Sequence, residues 1–319
     1  IISLLTFFCG LLSKETAVFL PLAFLSADII FFGAKKKYFL QKKKLKEYAL
    51  FAVLIFIYFL MRGAALGGFG ASLEKRNFLS DFSFTERIDI FFRLFSYYLK
   101  EIVFPYPLTF FHDFKSSGSL LAPQFVFSFI VFLIFLFAIY FLLKKKENLS
   151  ALFLAWIFIF YLPIFFFFNL VGKIGENVFT ERYLFLPSIG FSALIAYLLS
   201  YFWQKGKKAK IGIFVITTIF IVGSLLIVHP RNKIWKDNQA LFRATLVLNP
   251  GAAPIREYLA DELRQQGNIE AAKAEYEEIL KRNPQYGGIS HIYTNLADYY
   301  RERGDIEKAL AYYKKAVEM

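Results

Sequence analysis

Cysteine, histidine and acidic residues are scarce in this chain, and each shortage removes a class of explanation. A single cysteine in 319 residues, Cys9, excludes an intrachain disulfide and any cysteine-based zinc site. It lies in an apolar run and is expected to be a small buried packing residue. The 3 histidines, His112, His229 and His291, stand far apart in the sequence. The pair His112-Asp113 therefore lacks the further ligands a metal site needs. The sequence supports no divalent metal and no cofactor. Asp and Glu number 25 against 38 Lys and Arg, a net charge of +13. In a soluble protein that excess points to nucleic acid. Here the lysines cluster in short loops between apolar runs, so the membrane reading takes precedence and nucleic acid is excluded as a partner. Also missing is a duplicated polar or Gly/Pro-broken helix at mid-membrane depth, which weighs against a transporter.

What is present is a change of solvent along the chain. Apolar residues make up 57% of it, against about 45–50% in a soluble domain. The excess sits in runs at roughly 1–12 (a truncated span), 16–33, 48–66, 123–143, 149–168, 183–203 and 211–228. Each complete run is long enough, or nearly so, to cross about 30 Å of hydrocarbon as a helix. Three connections are strongly basic: Lys35–Lys37 with Lys42–Lys44 and Lys46, then Lys144–Lys146, then Lys205, Lys207, Lys208 and Lys210. If each run crosses once, all three fall on one side, which the positive-inside rule makes cytoplasmic. Segment 86–104 carries Arg87, Asp89, Arg93, Lys100 and Glu101 and is expected to lie in the outer interface. A second crossing there would break the parity.

From Arg231 onward the chain is written for water as a helical repeat. Ala253–Tyr286 reads as a tetratricopeptide unit, with Leu259-Ala260, Leu263, Gly267, Ala272, Tyr276, Ile279 and Pro284 at its packing positions. Ser290–Met319 repeats the pattern through Leu296-Ala297, Gly304, Ala309 and Tyr313. Residues 235–250 read as a degenerate half-repeat that caps the array. The small alanines let paired helices approach closely, Gly267 and Gly304 permit the turns, and Asn268 and Asp305 follow as N-caps. The binding face expected on the first helices is Glu257, Tyr258, Asp261, Arg264, Asn295 and Asp298, with Asn295 suited to a peptide amide. The fold class is therefore all-α: a polytopic membrane domain over 1–230 and a tetratricopeptide α-solenoid over 231–319.

Charge beside a membrane span needs a reason. Lys14 lies in Leu12-Ser13-Lys14-Glu15-Thr16-Ala17, between the truncated span and the next. Arg182 lies in Thr180-Glu181-Arg182-Tyr183-Leu184, at the start of a span on the same side. Each motif reads either as an interface anchor or as a phosphate contact: a point charge at Lys14, a bidentate fork at Arg182. Glu15 and Glu181 would orient them, and Tyr183 serves the aromatic belt or the site. His112 and Asp113 form a turn of the outer loop, with substrate contact the lesser option.

The order of these motifs carries a resemblance. Leu-Ser-Lys-Glu-Thr-Ala, then Glu-Arg-Tyr-Leu-Phe-Leu-Pro-Ser-Ile-Gly, then Trp235-Lys236-Asp237-Asn238 with Leu241-Phe242, leading into the repeats, resembles the transmembrane-and-tetratricopeptide O-mannosyltransferase family and its bacterial relatives. The Lys14 and Arg182 contexts also resemble signatures of the wider superfamily of lipid-carrier-dependent glycosyltransferases. The resemblance implies sugar transfer from a polyprenyl-phosphate donor to a protein acceptor on the outer or lumenal face. Lys14 and Arg182 would bind donor phosphate, and the repeats would hold a protein or peptide. It also implies a carboxylate base in the first outer loop, which is expected upstream of Ile1. The expected location is a bacterial inner membrane with the repeats on the periplasmic or extracellular side. A non-enzymatic membrane scaffold for envelope complexes is the alternative that the repeats fit equally well.

Overall fold

A computed structural model describes residues 2–33, 41–65, 83–107, 109–112, 117–171 and 181–319, without the side chains of 15 and 164–171. Among the described residues every regular element is a helix. The chain divides into two compact units. One comprises residues 1–106, 115–174 and 181–213; the other comprises 107–114, 175–180 and 214–319. The division falls within the 28-residue helix Lys207–Ile234, which runs on through His229 and Pro230.

The first unit contains α1 (Ile2–Ser13), α2 (Leu20–Phe32), α3 (Lys42–Ala65), α4 (Phe84–Val103), α5 (Pro123–Lys144), α6 (Asn148–Val171), α7 (Phe185–Trp203) and the start of α8 (Lys207–Ile234). Four helical segments among the described residues are long and apolar enough to cross a membrane: Lys42–Ala65, Pro123–Lys144, Glu181–Trp203 and Lys207–Ile234. Shorter apolar helices cover Ile2–Ser13, Thr16–Phe32 and Asn148–Pro163. Large apolar side chains on α8, including Phe214, Ile219, Phe220 and Leu226, are exposed. Such a surface needs lipid or protein against it rather than water.

One detail corrects the sequence expectation. Cys9 is exposed. The buried stripe of α1 is Phe7 and Leu11, one turn apart and packed with Tyr58 and Phe51 of α3, which leaves Cys9 on the other face. Asp28 is an acid inside an apolar helix. Within α2 it pairs with Lys44 at 3.0 Å and accepts the Tyr48 hydroxyl at 2.7 Å.

Helix α4 has the amphipathic pattern of an interfacial helix, but its charges do not simply face water. Asp89 and Glu101 are buried. Asp89 accepts from the Ser117 backbone N–H and hydroxyl, both at 2.7 Å, and from Arg93 at 3.3 Å. Glu101 pairs with Lys100 at 2.8 Å. The apolar face of α4 lays Phe91, Phe92 and Phe95 edge-on against Phe125, Phe129, Phe132 and Phe135 of α5. Asp89→Asn turns one of the acceptor oxygens into a donor facing donors. It is expected to cost about 1–3 kcal/mol, read as a lower melting temperature in detergent.

The second unit contains the rest of α8, then α9 (Asn238–Leu248), α10 (Ala253–Gln265), α11 (Ile269–Arg282), α12 (Ile289–Glu302) and α13 (Ile306–Glu318). Leu259, Ala260, Leu263, Ala272, Tyr276, Ile279, Ile292 and Leu296 form its core. Gly267 and Gly304 both take positive φ, 80° and 79°, at the two intra-repeat turns. A side chain there would be strained, so both turns favour glycine. Asp305 caps α13 by accepting from the Lys308 N–H at 3.1 Å. Asn268 stands at the equivalent N-cap but makes no side-chain cap bond, so that part of the expectation does not hold. Segment 109–112 belongs to this unit. Phe111 packs on Ala252 and Ile255, and the Asn249 amide donates to the Phe111 carbonyl at 2.8 Å.

Candidate functional site

The site is built on two helix breaks. Helix α1 stops at Ser13, where the Lys14 N–H still reaches the Gly10 carbonyl but Lys14 itself is extended. A 3-10 turn over Glu15–Phe19 then leads into α2, with Pro21 in its first turn. A second 3-10 turn, Glu181–Leu184, leads into α7, with Pro187 near its start. Proline near a helix start is tolerated because the first N–H groups have no partner in the helix. Both turns pack on α6. The charged residues therefore sit where backbone leaves the helix, rather than mid-span.

Between these turns lies a cavity of about 290 Å³, lined by Lys14, Arg182, Tyr183, Trp156, Phe160 and Pro163 among others. Its size is near the lower end of ligand pockets. Both cations lie near the Tyr183 ring. Lys14 Nζ is 5.9 Å and the Arg182 guanidinium carbon 5.4 Å from its centroid. Among the described residues neither cation forms an ion pair with a carboxylate. Lysine and arginine brought to one apolar wall repel one another, so an anion beside both is favourable.

The wall behind the cations is held firmly. Trp156 Nε1 donates to the Leu186 carbonyl at 3.0 Å, and its ring lies 4.7 Å from Phe160. Phe19, Ala23, Ile159 and Phe160 form the core beneath it. Gly190 of α7 makes the close approach possible: a Cβ there would sit 2.8 Å from the Phe153 carbonyl oxygen and 2.9 Å from Trp156 Cδ1.

Of the supporting acids, the Glu15 side chain lies outside the described residues. Glu181 is half-buried, and its charge acts on Tyr97 of α4. The Tyr97 phenol is pushed well above its usual range, first by burial and then by the charge and hydrogen bond of Glu101, with Glu181 adding to it. The Tyr97-Glu101 pair is thus a polar element that the sequence did not single out. Its only sequence signal is the i,i+4 spacing on an amphipathic helix.

The remaining expected residues are spread over the second unit. His112 is buried in the packed segment 109–112, and Asp113 lies outside the described residues. On α10, Glu257 is buried, Asp261 half-buried, and Tyr258 and Arg264 exposed; on α12, Asn295 is buried and Asp298 half-buried. The Tyr258 ring is tilted against Phe242, with ring centroids 5.9 Å apart. Asp261 and Asp298 accept from Tyr276 and Tyr313, each at 2.5 Å, so both repeats use one clamp between paired helices. Burial and the Asp261 hydrogen bond raise the Tyr276 phenol far above its usual range.

The Tetratricopeptide repeat family model matches residues 249–319. Over 121 residues the chain is 28% identical to Protein O-mannosyl-transferase Tmtc2 of Drosophila melanogaster, covering 38% of this chain and 13% of that protein. It is 30% identical over 127 residues to Protein O-mannosyl-transferase TMTC4 of Homo sapiens, covering 40% and 16%. It is 31% identical over 140 residues to the TMTC2 protein of Homo sapiens, covering 43% and 16%. Over part of its length the chain is similar to proteins named as O-mannosyl-transferases. The match spans less than a fifth of the length of each of these proteins. No solved structure matches the chain. The apolar helices of the first unit are those of a membrane protein, and the matched repeats lie in the second unit.

Proposed function

We propose that this chain contributes the phosphate-binding part of a membrane glycosyltransferase site. The donor would be a sugar on a polyprenyl-phosphate carrier and the acceptor a protein hydroxyl, on the outer or lumenal face. In a bacterium that face is periplasmic, and the repeats stand on the same side to recruit the acceptor. The observation that carries this reading is the meeting of Lys14 and Arg182, far apart in sequence, on one apolar cavity around Tyr183. A lipid phosphate has the two properties this cavity complements, an anionic head and an apolar tail. Arg182 grips phosphate oxygens through its fork, Lys14 adds a point charge, and Trp156 and Phe160 face the first carbons of the tail.

The cavity binds and orients; among the described residues that line it there is no carboxylate to act as a base. An inverting transfer to a hydroxyl needs a carboxylate to take the proton, and that group belongs to another part of the enzyme. The test is transfer by the full-length protein from a radiolabelled polyprenyl-phosphate sugar to a protein acceptor. Labelled acceptor supports the reading. No label with any of a panel of donor sugars transfers the weight to a membrane scaffold, whose cations are interface anchors.

A further inference from the structure

We infer that Glu257, Asp261 and His291 form a binding site for a divalent transition ion of the zinc type, on the face shared by α10 and α12. One ligand atom from each of the three lies within 4.8 Å of the others. Glu257 and Asp261 are one turn apart on α10, so they share a face. His291 reaches them from the first turn of α12. It has no counterpart one repeat earlier. Gly267 and Gly304, Ala272 and Ala309, and Tyr276 and Tyr313 are equivalent pairs with a constant offset, and that offset pairs His291 with Pro254.

Each ligand is oriented by a second group, as metal ligands generally are. Glu257, only 8% exposed, accepts from the Tyr286 hydroxyl through Oε2 at 2.6 Å, leaving Oε1 toward His291 Nδ1 at 2.5 Å. Tyr276 likewise takes Asp261 Oδ1, which leaves Oδ2 available. Asn295 stands 3.5 Å from His291 Nε2, one turn further along α12. The Tyr286 ring needs the bare Gly288: a Cβ there would lie 2.6 Å from its Cε1 atom. The next repeat supplies the contrast. Asp298 keeps its tyrosine clamp but has Arg301 at 2.9 Å, which a cation would have to displace.

The donor set decides the ion. Two carboxylates and an imidazole neutralise a dication and leave a fourth position open, which suits zinc. Calcium would need six to eight oxygens. Tetrahedral bonds near 2.0–2.1 Å require ligand atoms about 3.3 Å apart, so the His291–Glu257 pair must open from 2.5 Å and wider separations must close, a change that falls mainly to the exposed His291 side chain.

The experiment is equilibrium dialysis of the whole chain in detergent, without a polyhistidine tag and stripped with chelator, against micromolar Zn²⁺. One equivalent should bind. His291→Ala and Glu257→Gln should abolish it, Tyr286→Phe should weaken it about 10–100-fold, and His229→Ala should leave it unchanged. His291 is exposed, so His291→Ala should fold as the parent does; equal metal-free melting temperatures establish that. Absence of bound Zn²⁺, or equal binding by His291→Ala, would overturn the site and leave a metal-free hydrogen-bonded network.

Discussion

Replacing Arg182 by alanine in the full-length protein is expected to cut sugar transfer about 10–100-fold, and Lys14→Ala should act in the same direction. The size follows from a charge-assisted hydrogen bond, worth about 1.5–3 kcal/mol. The cations share one aromatic ring and one anion, so their effects should couple rather than add. Arg182→Lys keeps the charge but loses the fork and should fall between the parent and Arg182→Ala. Both contacts exist before and during the chemical step, so KM should carry much of the loss. Steady-state kinetics over a range of donor concentration reads the split. Full transfer by the Lys14→Ala/Arg182→Ala protein would mean that these cations anchor the interface and nothing more.

Gly190→Ala is expected to damage both the fold and the cavity. The new methyl meets the Phe153 carbonyl and the Trp156 ring at under 3 Å, and the first of these is backbone that cannot rotate away. Overpacking of this kind costs about 1–3 kcal/mol, and the rigid neighbour places this case at the upper end. Relief requires α7 to shift from α6 or Trp156 to turn, which breaks the indole bond to Leu186. Gly212→Ala on α8 is the control. It meets nothing within 4 Å, so it should be neutral or gain about 0.5–1 kcal/mol. Thermal melting in detergent checks both, and a lower melting temperature only for Gly190→Ala is the expected result.

The features legible in the sequence are those that periodicity and local charge encode. The long apolar runs and the repeat spacing specify an all-α chain with tetratricopeptide repeats, and the fold agrees. Lys14 and Arg182 stood out because charge beside a span is costly wherever the chain goes. Other features depend on what lies opposite in space. The acids of α4 look like solvent charges until Ser117 and Arg93 are seen around Asp89. Gly190 looks like any helical glycine until Phe153 and Trp156 are placed against it. His291 reads as a lone histidine because its partners lie one helix pair back, with α11 intervening in sequence. Segment 109–112 carries no pattern that announces its packing on Ala252 and Ile255.

The central claim is that the cavity around Tyr183 recognises a lipid phosphate. The most direct test is the affinity of this chain, in detergent, for a short polyprenyl phosphate and for the matching polyprenol. The phosphate should bind at least about 10-fold tighter, and the Lys14→Ala/Arg182→Ala chain should bind the two lipids alike. Equal affinity of the parent chain for phosphate and alcohol would contradict the claim.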